Sequence, residues 1–150
     1  KKPLNILEIG TAVGYSAVLM GENTSENTKI TTVENYEVRI PIARNNFARA
    51  GMDDKITLIE GDALEVLKTL TGPYDFIFMD AAKGQYMNFL PNLMRLLKPG
   101  GTLITDNILY RGIVASEELA PKKHITIASP EFEAEFLKKY PQYEDMMHEW

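Results

Sequence analysis

The chain has 150 residues, of which 45% are hydrophobic and 25% are charged, and these values are typical of one soluble globular domain with a sizeable core. Cysteine is absent, which excludes disulfide bonds and thiolate metal sites and favours a cytoplasmic protein. The net charge of −5 argues against a broad nucleic-acid-binding surface, and neither a signal peptide nor a membrane-spanning apolar run is present in the sequence. We expect a single domain over residues 1–150, and its start at Lys-Lys-Pro without Met suggests the interior of a longer protein.

The first predicted unit is a strand, a glycine turn and a helix. Ile6–Ile9 is a short apolar run that contains one acid, Glu8, and it is followed by the turn Gly10–Gly14 and the helix-compatible segment Tyr15–Met20. Glycines at such a turn let the backbone approach a ligand, and the helix offers free N–H groups and a positive dipole end. The spacing Gly-x-x-x-Gly matches neither a P-loop nor a complete dinucleotide fingerprint. The unit is therefore a candidate cofactor cradle, with ordinary turn chemistry as the alternative.

A second feature strengthens the cofactor interpretation. The next apolar run, Ile30–Val33, ends in Glu34. An acid in this place, about twenty residues after the glycine turn, binds the ribose diol in doubly wound folds. The alternative for Glu34 is a solvated acid at a strand end.

The remaining pattern predicts further alternation of helices and strands. The predicted helices are Glu37–Ala50, Ala63–Leu70 and Tyr86–Leu97, and the predicted strands are Ile56–Glu60, Tyr74–Met79 and Thr102–Thr105. After Gly112 the pattern weakens to a loop, a short apolar run and one helix that begins at Ser129–Pro130. Strands that alternate with helices in this way predict an α/β fold with a doubly wound, mostly parallel sheet.

Polar residues or glycine follow each predicted strand. These residues are Gly10, Glu34, Asp62, Asp80, and the pair Asp106 and Asn107. Ligands of parallel sheets bind outside the carboxyl ends of the strands, so we expect these residues to converge on one rim of the sheet.

Several segments in order resemble the cation-dependent, S-adenosylmethionine-dependent O-methyltransferases of the catechol and caffeoyl-CoA type and their bacterial relatives. These segments are Ile6–Ala17, Glu34, Asp75–Tyr86 and Gly100–Gly112. The resemblance runs from about Leu4 to Gly112 and implies a Rossmann-like class I methyltransferase fold. Members of that family usually have additional N-terminal helices and two further C-terminal strands, which we do not find in this sequence, and bacterial members are often homodimers.

The resemblance also implies a set of residues that hold S-adenosylmethionine. Its members are Glu8, Gly10, Ala12, Gly14, Tyr15, Ser16, Glu34, Asp62, Ala63, Asp80 and Ala81. In this set Glu34 would bind the ribose, Asp62 and Ala63 would lie near the adenine, and Glu8 would either position the amino-acid end of the cofactor or be structural.

Asp80, Asp106 and Asn107 form a candidate metal site. Two carboxylates and an amide oxygen are hard ligands that suit Mg²⁺, Mn²⁺ or Ca²⁺ and are poorly suited to zinc. Such a cation would lower the pKa of a bound substrate hydroxyl and orient it. The alternative is that these residues serve only as caps and turns.

Lys83 is the candidate general base. In the related family the lysine of the motif Asp-x-x-Lys has this role, and Lys83 follows Asp80 at that spacing. A nearby cation lowers the pKa of a lysine toward the working range. The alternative is a solvated loop lysine.

We therefore expect a metal-dependent O-methyltransferase that acts on a catechol-like small molecule. Ala81 and Ala82 stand where catechol-acting relatives often carry bulky residues, so a tRNA methyltransferase acting on 5-hydroxyuridine is an alternative, with Arg111, Lys122 and Lys123 as candidate phosphate contacts. A truncated domain that binds the cofactor without turnover is a second alternative. A nicotinamide dehydrogenase is a weaker one, because its glycine spacing differs.

Overall fold

A computed structural model describes residues 2–106, apart from the side chain of Lys83. The strands are β1 (Asn5–Ile9), β2 (Lys29–Glu34), β3 (Ile56–Glu60), β4 (Tyr74–Met79) and β5 (Leu97–Thr105). The α-helices are α1 (Tyr15–Glu22), α2 (Arg39–Arg49), α3 (Ala63–Thr69) and α4 (Tyr86–Leu96), and a 3₁₀ turn spans Lys83–Gln85. The elements predicted after Gly112 lie outside the described residues.

The strands form one parallel sheet in the order β3-β2-β1-β4-β5. The chain moves outward from β1 to β3 and then crosses back to β4, so the order reverses between β1 and β4. This reversal is the topological switch point at which doubly wound sheets bind ligands. The predicted Rossmann-like α/β fold is confirmed.

Alternating side chains of β1 face opposite sides of the sheet and divide the core in two. Ile6 packs with Ile30 and with Phe47 of α2, whereas Leu7 packs with Ile77 and with Leu93 of α4. Helices α1 and α2 thus cover one face of the sheet and α3 and α4 cover the other. Because side chains alternate with a period of two, Glu8 lies on the same face as Ile6, beneath α1.

The last described strand begins earlier than the sequence predicts. Tyr74 pairs with Leu97, and Phe76 pairs with Thr102, so the segment between Leu97 and Thr102 is too long for its partner and bulges. Gly100 lies in this bulge with a φ of +74°. The sequence predicts this strand only from Thr102, because the proline and glycines between Leu97 and Thr102 are residues that rarely occur inside strands.

No α-helix within residues 2–106 has the length and apolar composition of a membrane-spanning helix.

Candidate active site

The carboxyl ends of the strands bring the predicted site residues to one rim. The amides of Gly10 and Thr11 donate to Val33 O at 3.0 and 3.2 Å, and the amide of Asp80 donates to Ile9 O at 2.9 Å. The amide of Asp106 donates to Met79 O at 3.0 Å, which extends the pairing of β4 with β5. The polar residues that follow the strands therefore lie along one edge, as the parallel topology predicts.

Gly10 lies at the closest approach between the glycine turn and the end of β4. Its φ is +99°, and a Cβ placed on it would lie 2.1 Å from the carbonyl oxygen of Asp80. Any other residue would push the turn away from the segment that carries Asp80 and Ala81. Gly10 therefore fixes the spacing between the two parts of the rim.

Gly14 is required at its position for a different structural reason. It precedes α1 with a φ of +86°, and a Cβ there would lie 2.5 Å from Cε1 of Phe47. This glycine lets the start of α1 pack on α2. Tyr15, the first residue of α1, is 74% exposed, so its ring lies on the surface beside the turn.

Glu34 joins the glycine turn to the end of β2. Its Oε2 accepts a hydrogen bond from the amide of Ala12 at 2.7 Å. Its Oε1 accepts from the amides of Asn35 and Tyr36, each at 3.0 Å. Glu34 is buried, so the alternative of a solvated strand-end acid is wrong. Three backbone donors hold the carboxylate in place, and Oε2 keeps acceptor capacity for a further donor.

Ala12 adopts an unusual backbone conformation for this contact. Its φ of +48° is in the left-handed region, which is uncommon for a residue other than glycine. The charge-assisted hydrogen bond from its amide to Glu34 compensates for this strain.

Glu8 is the most deeply buried acid of the described rim. The hydroxyl of Ser16 donates to its Oε1, and the hydroxyl of Thr32 donates to its Oε2 at 2.5 Å. Burial raises the pKa of Glu8 to about 7; the two hydroxyl bonds lower it, and the charges of Asp80 and Glu34 raise it further. Glu8 is thus a carboxyl that changes its charge near neutral pH.

Two threonines that the sequence pattern alone does not identify extend the contacts of Glu8. The Oγ1 atoms of Thr11 and Thr32 lie 2.6 Å apart, and both residues are buried. A signal is present in the sequence, since Thr32 follows the apolar Ile30 by two residues and therefore faces the same side of β2. Its partner cannot be identified without the strand register.

Asp62 caps the helix that follows β3. Its Oδ1 accepts from the amides of Leu64 and Glu65 at 2.9 and 3.2 Å. Ala63 is the first residue of α3, and the amide of Gly61 donates to Glu34 O at 2.9 Å. Asp62 and Ala63 therefore lie at the end of the rim beyond Glu34, with Asp62 exposed and already in a capping role.

Asp80 and Asp106 follow adjacent strands. Met79 pairs with Thr105 in the parallel register, so the next residue on each strand, Asp80 and Asp106, leaves the sheet at the same level. The hydroxyl of Tyr86 lies 3.3 Å from Met79 O and 3.2 Å from Asp106 O, which ties the two strand ends together. The structure thus places two of the three predicted metal ligands side by side.

The third predicted metal ligand, Asn107, lies outside the described residues. Within residues 2–106, there is no group of three or more His, Cys, Asp or Glu residues arranged so that it could hold a metal ion. The backbone of Lys83 begins the 3₁₀ turn just after Asp80 and Ala81, at the same rim. Arg111, Lys122 and Lys123 also lie beyond the described part.

The chain is similar to known O-methyltransferases. The profile of the O-methyltransferase family matches residues 2–144. The chain is 39% identical to caffeoyl-CoA O-methyltransferase of Medicago sativa over an alignment of 127 residues, and the match covers 78% of this chain and 50% of that protein. It is 34% identical to catechol O-methyltransferase of Niastella koreensis over an alignment of 117 residues, and the match covers 75% of this chain and 53% of that protein.

A solved structure supports the same assignment. The O-methyltransferase from Bacillus cereus in complex with S-adenosylhomocysteine has a TM-score of 0.72 and 31% identity, and the match covers 85% of this chain and 64% of that one. The chain spans about half the length of the curated relatives it matches. The family profile covers most of this chain, and the chain belongs to the O-methyltransferase family.

Proposed function

We propose that this chain carries the cofactor-binding core of an enzyme that transfers a methyl group from S-adenosylmethionine to a hydroxyl of a catechol-like small molecule. The observation that carries the proposal is the convergence of the glycine turn, Glu34 and the Asp80–Asp106 pair on one rim at the topological switch point. Family membership and the names of the catechol and caffeoyl-CoA relatives support the reaction class.

The cofactor half of the proposal rests on Glu34 and the glycine turn. The carboxylate of Glu34 is held by the amides of Ala12, Asn35 and Tyr36, so it is oriented before any ligand arrives. A preoriented carboxylate loses little conformational freedom when it accepts the hydroxyl hydrogens of a ribose diol. Gly10 keeps this turn close to Asp80 and thus close to the acceptor half of the site.

The acceptor half rests on Asp80 and Asp106. Carboxylates at the ends of adjacent strands are hard oxygen donors that fit Mg²⁺, Mn²⁺ or Ca²⁺, and Asn107 would add an amide oxygen. A divalent cation bound there would supply positive charge and would favour the ionised form of an acceptor hydroxyl.

The proposed reaction combines a proton transfer with the transfer of the methyl group. In the proposal, Nζ of Lys83 accepts the proton of the acceptor hydroxyl. The acceptor oxygen forms a bond to the methyl carbon while the carbon–sulfur bond of the cofactor breaks, and S-adenosylhomocysteine leaves. The reaction needs little covalent assistance, so the main task of the rim is to hold the methyl group in line with the attacking oxygen.

A second candidate function is methylation of 5-hydroxyuridine in tRNA. The observation that favours it is the small size of the two residues that follow Asp80, Ala81 and the exposed Ala82. In this second proposal, small side chains at these two positions make room for a larger acceptor than a free catechol.

Calorimetry and an activity assay test both halves of the proposal. We expect the chain to bind S-adenosylmethionine and, with Mg²⁺, to methylate either a catechol or a tRNA that contains 5-hydroxyuridine. The acceptor that is methylated selects between the two functions. Cofactor binding without turnover of either acceptor would identify a domain that binds the cofactor only, and absence of cofactor binding would reject the proposal.

Asp80→Ala separates the metal role from the cofactor role. We expect this variant to lose metal-dependent turnover by about a hundredfold or more while its affinity for S-adenosylmethionine stays within a few-fold. Asp53→Ala is the matched control, because Asp53 is an exposed acid in the turn before β3, at the opposite edge of the sheet. Full activity of Asp80→Ala in the presence of a chelator would show that the metal assignment is wrong.

A further inference from the structure

A hydrogen-bonded chain of hydroxyls connects the glycine turn to the buried acid of β1. Thr11 lies in the turn, Thr32 lies on β2 and Glu8 lies on β1, and each of the three is at most 1% exposed. Oγ1 of Thr11 lies 2.6 Å from Oγ1 of Thr32, which in turn lies 2.5 Å from Oε2 of Glu8. The parallel register pairs Glu8 directly with Thr32, so the sheet itself fixes this contact.

The chemistry of the three groups sets the direction of these bonds. An ionised carboxylate only accepts hydrogen bonds, so Thr32 donates to Glu8. The single hydroxyl hydrogen of Thr32 is then used, and Thr11 must donate to Thr32. Ser16 donates to the other carboxylate oxygen. In this arrangement every hydroxyl supports the negative charge of Glu8.

The other charged groups that act on Glu8 oppose its ionisation. From the end of β2 it experiences the charge of Glu34, and from the end of β4 it experiences the charge of Asp80. Helix α1 contributes the neutral Ser16, and within residues 2–106 no basic side chain is hydrogen-bonded to Glu8. An ionised Glu8 therefore favours a cationic ligand at this part of the rim.

We propose that Thr32 and Thr11 are positioning residues that hold the Glu8 carboxylate as the partner of the cofactor's ammonium group. This inference rests on the proposed function, because it requires S-adenosylmethionine at the rim. The two threonines do not touch the ligand in this arrangement. Their role is to supply Glu8 with a donor that favours its charged form and to keep the turn aligned with the acid.

The test measures how cofactor affinity depends on pH. For the wild-type chain, we expect the affinity for S-adenosylmethionine to rise with pH as Glu8 ionises and to fall again at higher pH, where the ammonium group of the cofactor loses its proton. Thr32→Val has nearly the same shape but lacks the hydroxyl. Loss of a hydrogen bond to a charged group should shift the midpoint of this rise upward by about one pH unit.

Matched variants separate positioning from a merely structural role. Thr32→Ser keeps the hydroxyl and should restore the midpoint, and Thr11→Val should shift it in the same direction by a smaller amount. A uniform loss of affinity at every pH, with an unchanged midpoint in both valine variants, would overturn the proposal. S-adenosylhomocysteine carries the ammonium but no sulfonium charge, so it should show the same pH dependence; if it does not, the ammonium assignment is wrong.

The outcome also distinguishes this inference from the proposed function. If the unchanged chain does not bind the cofactor at any pH, the proposed function fails. If the unchanged chain binds and Thr32→Val binds with the same pH profile, only the role of the threonines fails.

Discussion

Gly10 is the residue whose replacement should disturb the rim most directly. A Cβ at this position would lie 2.1 Å from Asp80 O, and the backbone φ of +99° is itself unfavourable for other residues. Gly51 is the matched control, because its φ is +66° and a Cβ added there would have no heavy atom within 4 Å. The two positions share a left-handed backbone, and only Gly10 has the close neighbour.

We expect Gly51→Ala to reduce the free energy of unfolding by about 1 kcal/mol, which is the cost of a left-handed conformation alone. Gly10→Ala should reduce it by about 2–4 kcal/mol and should weaken cofactor binding, because the turn must move away from Asp80. Urea unfolding and calorimetry measure the two effects. Equal losses of stability in the two variants would mean that the contact with Asp80 does not constrain the turn.

At the scale of elements, Asp75 ties the amino ends of three strands together. This residue lies on β4, and its Oδ2 accepts from the amides of Leu4 and Asn5 at 2.8 Å each, where β1 begins. Its Oδ1 forms an ion pair with Lys98 in the bulge of β5. The hydrogen bond from Lys98, followed by the two amide bonds, lowers the pKa of Asp75 to about 2. The carboxylate thus anchors the β5 bulge and the start of β1.

The lowered pKa predicts how stability changes with pH. A carboxyl whose pKa is lower in the folded state stabilises the fold above its unfolded pKa of 3.8, and this contribution is lost as the pH falls toward 2. We expect Asp75→Asn to be less stable at neutral pH and to show a shallower loss of stability over that acidic range. Lys98→Met removes the largest cause of the lowered pKa of Asp75. This variant should therefore also be less stable at neutral pH and lose stability less steeply in acid. An unchanged acid-unfolding curve for both variants would contradict the role of this ion pair.

The bounds of elements were predictable where one local pattern decides them. Strands β3 and β4 have the predicted bounds, because each is a short apolar run between turn residues. The start of β5 was not predictable, since Leu97 pairs with Tyr74 across a bulge that local pattern does not encode. The capping role of Asp62 was available from the sequence, because Asp62 and Glu65 have the spacing of a capping box.

At the scale of the whole molecule, the rule that polar residues follow the ends of parallel strands predicted the rim. The rule predicts that Glu34 lies near the glycine turn, and the structure brings its carboxylate to the amide of Ala12. The same rule could not identify Thr32, because its contact with Glu8 depends on the register of β1 with β2. Contacts set by the order of strands were therefore predictable, and contacts set by register were not.

The buried Glu8 makes the stability of the whole molecule depend on pH near neutrality. Its pKa rises from 4.5 to about 7 in the folded state, so the folded chain holds this proton more tightly than the unfolded chain does. The contribution of protonated Glu8 is therefore fully present below about pH 4.5 and is lost as the pH rises through 7. The shift corresponds to a loss of about 3 kcal/mol between these limits.

We expect Glu8→Gln to remove this slope, since the amide does not ionise, whereas the exposed Glu26→Gln should keep it. Urea unfolding at a series of pH values between about 4.5 and 8 measures the slope. Saturating S-adenosylmethionine should also flatten it for the unchanged chain, because a cationic ligand stabilises the ionised carboxylate and thereby lowers the pKa of Glu8. If Glu8→Gln and the wild-type chain lose stability in parallel over this range, the titration does not belong to Glu8.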